Sequence, residues 1–226
     1  MERKSQALRT PRAAGLVGII FALLLAAAII LIRLAIPERP GNAGDVWLTD
    51  PSRRRTVQTA LRLIPFAGIF FLWFMGAVRA RIGKAEDQFF ATVFLGSGLV
   101  FVATLFGAAA AAGSLLATAD AYGTGSEPQM WSFGHHLTYS LLTTYSMRMA
   151  AVFTVSTSSI GHRFRVLPGW LSLLGCPVAL TLLLVADSIA WSELVFPLWA
   201  LVVSLHLLVA SFRPQPALAA ESRTAL

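Results

Sequence analysis

The sequence has little charge, a single cysteine and only two lysines. Of its 226 residues 13% are charged, whereas roughly a quarter are charged in a typical soluble domain. One cysteine, Cys176, cannot form an intramolecular disulfide and does not support a cysteine-based metal site. The scarcity of charge argues against a soluble globular domain. The preference for arginine over lysine, together with abundant alanine and glycine, indicates a bacterial source.

The apolar residues occur in long blocks, without the alternation typical of strands. About 20 helical residues cross a hydrocarbon core roughly 30 Å thick, and only helices or closed barrels satisfy every backbone polar group in lipid. We therefore predict an all-α, polytopic transmembrane helical bundle with about six spans in a single membrane domain, 1–226. The predicted spans are 13–36, 57–78, 89–117, 136–160, 167–186 and 189–212, followed by a short flexible tail at 213–226.

The last two predicted spans are separated only by Asp187 and Ser188. So short a break predicts a tight helical hairpin. A re-entrant fifth segment is the alternative, and it would leave five true spans.

The basic residues near the span ends predict the orientation. Eleven Lys or Arg lie on the side of the N-terminus and five lie on the other side, and cytoplasmic loops carry the excess. This count places both termini in the cytoplasm of a bacterial plasma membrane. The run Arg53–Arg55 lies on the side where this orientation predicts few basic residues. It could instead lie along anionic headgroups. The net charge of +7 is thus a topology signal, and no soluble basic face is present for nucleic acid.

The fourth predicted span is rich in Ser and Thr and contains an arginine at its midpoint. At 100° per residue most of its polar side chains fall on one arc, and Arg148 stands about 40° beyond it. Two interpretations remain open: a polar cavity in which Arg148 holds an anionic group, or ordinary interhelical hydrogen bonds of roughly 0.6 kcal/mol each. The predicted cavity residues are Arg148, Thr144, Ser140, His136 and Tyr145.

Acidic residues within the predicted spans are few, and they suggest an ion pair. Asp187 and Glu193 lie near the outer end of the last hairpin, and Arg62 lies in the outer third of the second span. Similar depth predicts that Arg62 pairs with Glu193 or Asp187.

Motifs for catalysis, metal or haem are missing from the sequence. His135 and His136 lie at the outer end of a span, whereas His206 lies toward the inner end of another, so their depths do not suit bis-histidine haem. No Gly-x-Ser-x-Gly nucleophile setting occurs. We therefore predict no catalytic residue, no cofactor and no metal.

Three segments give the chain a resemblance to bacterial six-span integral membrane proteins. They run from Pro65 through Phe74, from Glu86 through Thr92 and from Glu193 through Trp199. Those proteins have no known activity, so the resemblance implies no binding or catalytic residues.

Two function classes follow from the sequence. The first is a small transporter-like or ligand-binding bundle with a polar cavity near the fourth span. The second is a non-catalytic membrane scaffold or envelope-sensing component. Expected partners are membrane lipids and either a second copy of the chain or another membrane protein. Ala103, Gly107 and Ala111, spaced by four residues, would allow close helix packing within the bundle or between protomers.

Overall fold

The structure is a computed structural model that describes residues 10–35, 50–82, 88–122, 128–186, 188–189 and 191–212. All regular secondary structure in this part of the chain is helical, which confirms the all-α prediction. The elements are α1 (Thr10–Ala35), α2 (Pro51–Ile82), α3 (Gln88–Tyr122), α4 (Pro128–Tyr139), a π-helix (Ser140–Ser146), α5 (Met147–Arg163), α6 (Gly169–Leu184), a 3-10 turn (Ser192–Leu194) and α7 (Val195–Ala210).

Four helices are long and apolar enough to cross a membrane. They are α1, α2, α3 and the segment Ser192–Ala210 that contains α7. The fourth predicted span lies in a continuous rod of α4, the π-helix and α5. The fifth corresponds to α6, whose 16 residues extend about 24 Å. The structure thus supports four of the six predicted spans by length and composition.

Several helices begin or end away from the predicted span limits. Helix α2 begins at Pro51 rather than at 57, and α3 continues to Tyr122, because a helix need not stop where hydrocarbon would end. Helix α7 begins only at Val195, after the 3-10 turn. Asp187, which was predicted to form the hairpin turn, and the predicted tail at 213–226 lie outside the described residues.

Phenylalanine rings from five helices meet at the centre of the bundle. The Phe71 ring centroid lies 4.9 Å from that of Phe21, 5.0 Å from that of Phe101 and 4.9 Å from that of Phe153. The Phe196 ring lies 5.1 Å from Phe101 and completes the group. All five side chains are fully buried. We call these five residues the phenylalanine cluster; it fills the space that the five helices enclose.

A second, smaller core lies beyond the phenylalanine cluster, toward the ends of the helices that carry Ala35 and Tyr122. Its residues come only from α1, α2, α3 and α4. They are Ala35, Val57, Leu115, Leu116, Ala119 and Trp131. Within the part of the chain that the structure describes, α6 and α7 contribute no residue to this second core. Their connecting turn therefore lies within the length of the bundle, and Glu193 stands one helical turn before Phe196 of the phenylalanine cluster.

Helices α1 and α7 approach closely at two glycines. A Cβ atom at Gly15 would lie 2.9 Å from the backbone Cα of Leu208. A Cβ atom at Gly18 would lie 2.6 Å from the Phe74 ring and would overlap the Ser204 hydroxyl. Small residues permit such contacts between membrane helices.

We expect Gly18→Ala to destabilise the protein by about 1–3 kcal/mol, the usual cost of overpacking a core. Phe74 and Ser204 are both fully buried, so neither can move aside freely. Thermal unfolding in detergent micelles measures the effect. The matched control is Gly76→Ala, because no atom lies within 4 Å of a Cβ there. Equal stability of the two variants would contradict the close α1–α7 contact.

Candidate functional site

A buried ion pair lies next to the phenylalanine cluster. Arg33, near the end of α1, donates a hydrogen bond through its guanidinium to Oε1 of Glu193, in the turn before α7. The two side chains are only 9% and 1% exposed. Removing two charges from water costs several kcal/mol for each ion, and only close pairing offsets that cost. The contact therefore ties the end of α1 to the α6–α7 turn.

The backbone of the α6–α7 turn holds Glu193 in place. Trp191 adopts the left-handed conformation with φ of 70°, which is strained by roughly 1–3 kcal/mol for a residue other than glycine. The Ser192 hydroxyl donates to the carbonyl of Ile189 at 2.7 Å, and the Leu194 amide donates to the carbonyl of Trp191 at 3.0 Å. These bonds fix the turn and direct Glu193 toward α1.

Tyr139 adds an aromatic face to the ion pair. The guanidinium carbon of Arg33 lies 5.8 Å from the Tyr139 ring centroid, within the range of a cation–π interaction. Tyr139 is the last residue of α4, immediately before the π-helix. Among the described residues, Oε2 of Glu193 has no hydrogen-bond partner. We call Arg33, Glu193 and Tyr139 the Glu193 site; it joins α1, α4 and the 3-10 turn before α7.

The ion pair differs from the one predicted from sequence. Glu193 contacts Arg33, whereas Arg62 is exposed on α2, and Asp187 lies outside the described residues. The prediction matched residues by depth along extended spans. In the structure the α6–α7 turn lies beside the end of α1, so Arg33 is the arginine that reaches Glu193.

Two further ion pairs involve Arg53 and Arg54 of the run Arg53–Arg55. Arg54 pairs with Asp120, at the partly exposed contact between the start of α2 and the end of α3. Arg53 lies 3.5 Å from Asp50, three residues earlier. The backbone N–H of Ser52 donates to Oδ1 of Asp50 at 2.8 Å and lowers the pKa of that carboxyl. Arg53 and Arg54 thus pair with acidic residues near the beginning of α2, in contacts that solvent partly reaches.

The predicted cavity residues differ in their exposure. Ser140 and Thr144 are partly buried, His136 and Tyr145 are exposed, and Arg148 is partly exposed. The prediction assumed an uninterrupted α-helix. A π turn bonds residues i and i+5 and holds about one additional residue, which rotates the preceding segment by about 100° relative to the following one.

Most buried hydroxyls of the rod bond to their own helix. Thr143 donates to the carbonyl of Tyr139 at 2.9 Å, Thr154 to that of Ala150 at 2.8 Å, and Thr157 to that of Phe153 at 2.8 Å. A contact between helices is made by Ser146, whose hydroxyl donates to that of Thr104 on α3 at 2.9 Å. These contacts match the interpretation as helix packing better than a water-lined cavity.

Arg148 belongs to the outward-facing side of the rod. Tyr145 is 56% exposed and Val155 is 41% exposed, and the spacings of three and seven residues put both on the same side as Arg148. Ser159 and His162 continue this side and are also exposed. We call these five residues the Arg148 face. It points away from the phenylalanine cluster.

An apolar recess lies toward the opposite end of the bundle from the Glu193 site. Its volume is about 10 Å³, room for roughly one water molecule. It is lined by Val78, Thr157, Gly161, Val166, Leu167, Val203 and Leu207. It therefore does not coincide with the predicted polar cavity, and its size suits no organic ligand.

The histidines of α4 stand next to each other without forming a metal site. The rings of His135 and His136 are 5.9 Å apart between centroids and inclined at 79°, and the His135 ring stacks on Tyr139 at 6.3 Å. Within the described residues no three His, Cys, Asp or Glu side chains come together as metal ligands would.

Three polar features therefore stand out: the Glu193 site, the Arg54–Asp120 pair and the Arg148 face. Comparison with protein-family models, with curated proteins and with solved structures finds no match for this chain.

Proposed function

We propose that this chain is a non-catalytic scaffold component of a bacterial plasma membrane, with about six spans and both termini in the cytoplasm. One observation carries the proposal: rings from five helices close the centre of the bundle. Phe71 packs against Phe21, Phe101 and Phe153, and all are fully buried. A bundle sealed in this way suits a protein that holds partners in the membrane.

The position of the polar groups supports a scaffold. A solute path would need polar side chains along the bundle axis, but most buried hydroxyls of the rod, such as those of Thr154 and Thr157, bond to their own helix. The Glu193 site closes the axis on one side of the phenylalanine cluster with a buried ion pair. Arg148 is partly exposed on the outward side of the rod.

The proposed topology uses the whole rod and the hairpin. Helices α1, α2, α3 and the segment containing α7 have the length of spans; the rod from α4 to α5 and the shorter α6 supply the other two crossings. Arg33 and Arg54 serve in ion pairs with Glu193 and Asp120. Those pairs give the arginines a structural reason to lie on the side where basic residues are scarce.

A transporter-like bundle is the second candidate, and the Glu193 site is the observation that favours it. An ionisable residue inside a membrane domain is a functional candidate by default. Glu193 is 1% exposed, and its Oε2 has no partner among the described residues. A transporter would have to open the phenylalanine cluster to bring such a group into contact with water.

Thiol labelling tests whether the bundle axis is sealed. Cys176 is replaced by alanine, and single cysteines are placed at Ala67 and Ala150, both buried one helical turn from the phenylalanine cluster. Ala121→Cys, at an exposed position near the end of α3, is the control. In permeabilised membrane vesicles we expect a charged thiol reagent to label Ala121→Cys fully and to leave the two buried cysteines unlabelled. Labelling at Ala67→Cys or Ala150→Cys would favour the transporter.

A further inference from the structure

We propose that three basic side chains, those of Arg79, His162 and Arg165, bind the headgroup phosphate of an anionic phospholipid. We call these three residues the basic rim. All of them are exposed, and they lie at the end of the bundle opposite the Glu193 site. The proposal goes beyond the scaffold function, and it does not depend on whether the bundle axis is sealed.

The apolar recess brings the basic rim together. Residues from α2, from the turn between α5 and α6 and from α7 line this recess. Each residue of the basic rim is next in the chain to one that lines it. The pairs are Arg79 with Val78, His162 with Gly161, and Arg165 with Val166. The end of α2 and the α5–α6 turn thus present basic side chains around the same point.

Two candidate spans place the basic rim at the level of lipid headgroups. The apolar segment of α2 ends at Ala80, and the segment that contains α7 ends at Ala210. Val78 and Leu207 line the recess within three residues of these ends, which is at most about 5 Å of helix. Trp170 is 61% exposed in the first turn of α6, and tryptophan is enriched at the membrane–water interface. The level of the basic rim therefore follows from α2 and α7, without the rod or α6 as spans.

The distribution of charge makes an anion the complementary ligand. The acidic side chains of the described residues all lie toward the other end of the bundle. They are Asp50, Asp120 and Glu193. Glu86 and Asp87 lie outside the described residues, yet the links 79–87 and 162–168 together hold five Lys or Arg against these two acids. A positive surface next to the headgroups attracts anionic lipid.

Arg165 occupies a position where glycine is usual. Its φ is 54°, in the left-handed region. Its amide donates to the carbonyl of His162 at 3.2 Å, and the Val166 amide donates to that of Gly161 at 3.0 Å. These two bonds form a Schellman motif at the end of α5, and glycine would make them without the steric cost of a Cβ atom. The motif does not require arginine, so the strained conformation points to a use for the side chain.

A phosphate suits the donors of the basic rim. A guanidinium can donate two parallel hydrogen bonds to one phosphate group, and the ring of His162 adds an N–H donor. Phosphatidylcholine also carries a phosphate, but its trimethylammonium group repels the arginines. Phosphatidylglycerol lacks that cation. We therefore expect selectivity for the anionic lipid.

Native mass spectrometry of the full chain in detergent micelles tests this inference. Phosphatidylglycerol and phosphatidylcholine are added in equal amounts, and the complexes with one bound lipid of each kind are counted. We expect roughly tenfold more of the phosphatidylglycerol complex, the effect of one charge-assisted contact. Arg165→Gln should remove most of this preference, and Arg79→Gln should weaken it.

Arg165→Gly distinguishes a lipid contact from a structural role. Relief of the left-handed conformation should raise the unfolding temperature in lipid-free micelles. Loss of the guanidinium should reduce the preference for phosphatidylglycerol as Arg165→Gln does. The expected variant is thus more stable and less selective. A lower unfolding temperature would mean that the arginine serves the fold, and it would overturn the inference.

Arg55→Gln is the matched control, because Arg55 is an exposed arginine at the other end of α2. It changes the net charge by the same amount and should leave the lipid preference unchanged. Equal losses in Arg55→Gln and Arg165→Gln would indicate general electrostatic attraction and would overturn the inference. So would equal binding of the two lipids by the native chain. Displacement of phosphatidylglycerol by soluble glycerol phosphate would also overturn it, because the basic rim would then be a site for a soluble phosphate.

Discussion

Replacing Glu193 with Gln is expected to destabilise the protein by about 3–5 kcal/mol, the usual cost of removing one partner from a buried ion pair. Glutamine keeps nearly the same shape, so packing around Phe196 should survive. The guanidinium of Arg33 would remain 9% exposed with no opposite charge from Glu193. Thermal unfolding of the purified protein in detergent micelles measures the loss, and Arg33→Gln should cause a similar one.

The Arg54–Asp120 pair supplies the matched control at the same end of the bundle. Its side chains are 23% and 59% exposed, and an exposed ion pair contributes only about 0–1 kcal/mol. Arg54→Gln should therefore change the unfolding temperature far less than Glu193→Gln does. The double variant Arg33→Leu/Glu193→Leu should recover much of the lost stability, because it leaves no uncompensated charge. Equal effects at the two pairs would contradict the buried position of the Glu193 site.

Replacing Phe71 with Ala is expected to cost about 3–5 kcal/mol, as for other large-to-small changes in a packed core. Its ring contacts the rings of Phe21, Phe101 and Phe153, so the variant opens a cavity shared by four helices. Phe66→Ala, on the same helix but 57% exposed, is the control and should change stability by less than about 0.5 kcal/mol. Denaturant titration of both variants in detergent gives the comparison. A small effect at Phe71 would mean that the centre of the bundle is loosely packed.

The helical class of the fold follows directly from the sequence, because long apolar blocks allow few alternatives. The number of spans is harder to predict, because hydropathy does not show whether the polar rod from α4 to α5, or the 16-residue helix α6, crosses the membrane. Helix α6 is apolar throughout, yet its length is below that of a usual span. The ends of α2 and α3 also extend past their apolar segments.

The candidate site was only partly predictable. Glu193 was singled out because an acid in an apolar segment is rare, but its partner depends on which helix lies beside the α6–α7 turn. Arg33 carries a signal that could have been used: it interrupts the apolar run of α1 near its end. To match Arg33 with Glu193, one must know where the α6–α7 turn lies along the bundle. That position follows from the packing of Phe196 with the other phenylalanine rings.

The polar arc predicted for the fourth span shows where a helical wheel stops being a reliable guide to side-chain direction. The helical wheel treats Ser140 and Thr154 as parts of one α-helix, whereas the π-helix between them changes the rotation per residue. Neither glycine nor proline marks this break in the sequence of the π-helix, SLLTTYS. Tertiary contacts such as the one between Ser146 and Thr104 are therefore needed to determine which side Arg148 occupies.

The central claim is that the phenylalanine cluster keeps the bundle axis closed. Thiol labelling of Ala150→Cys in vesicles that carry an imposed gradient tests it most directly. The vesicles are given an imposed membrane potential and a pH gradient, first in one direction and then in the other, because such gradients drive carriers between their open states. The account predicts that Ala150→Cys stays unlabelled in every condition, while Ala121→Cys reacts throughout. Labelling of Ala150→Cys that appears with either gradient would show that the bundle opens to water, and it would contradict the account.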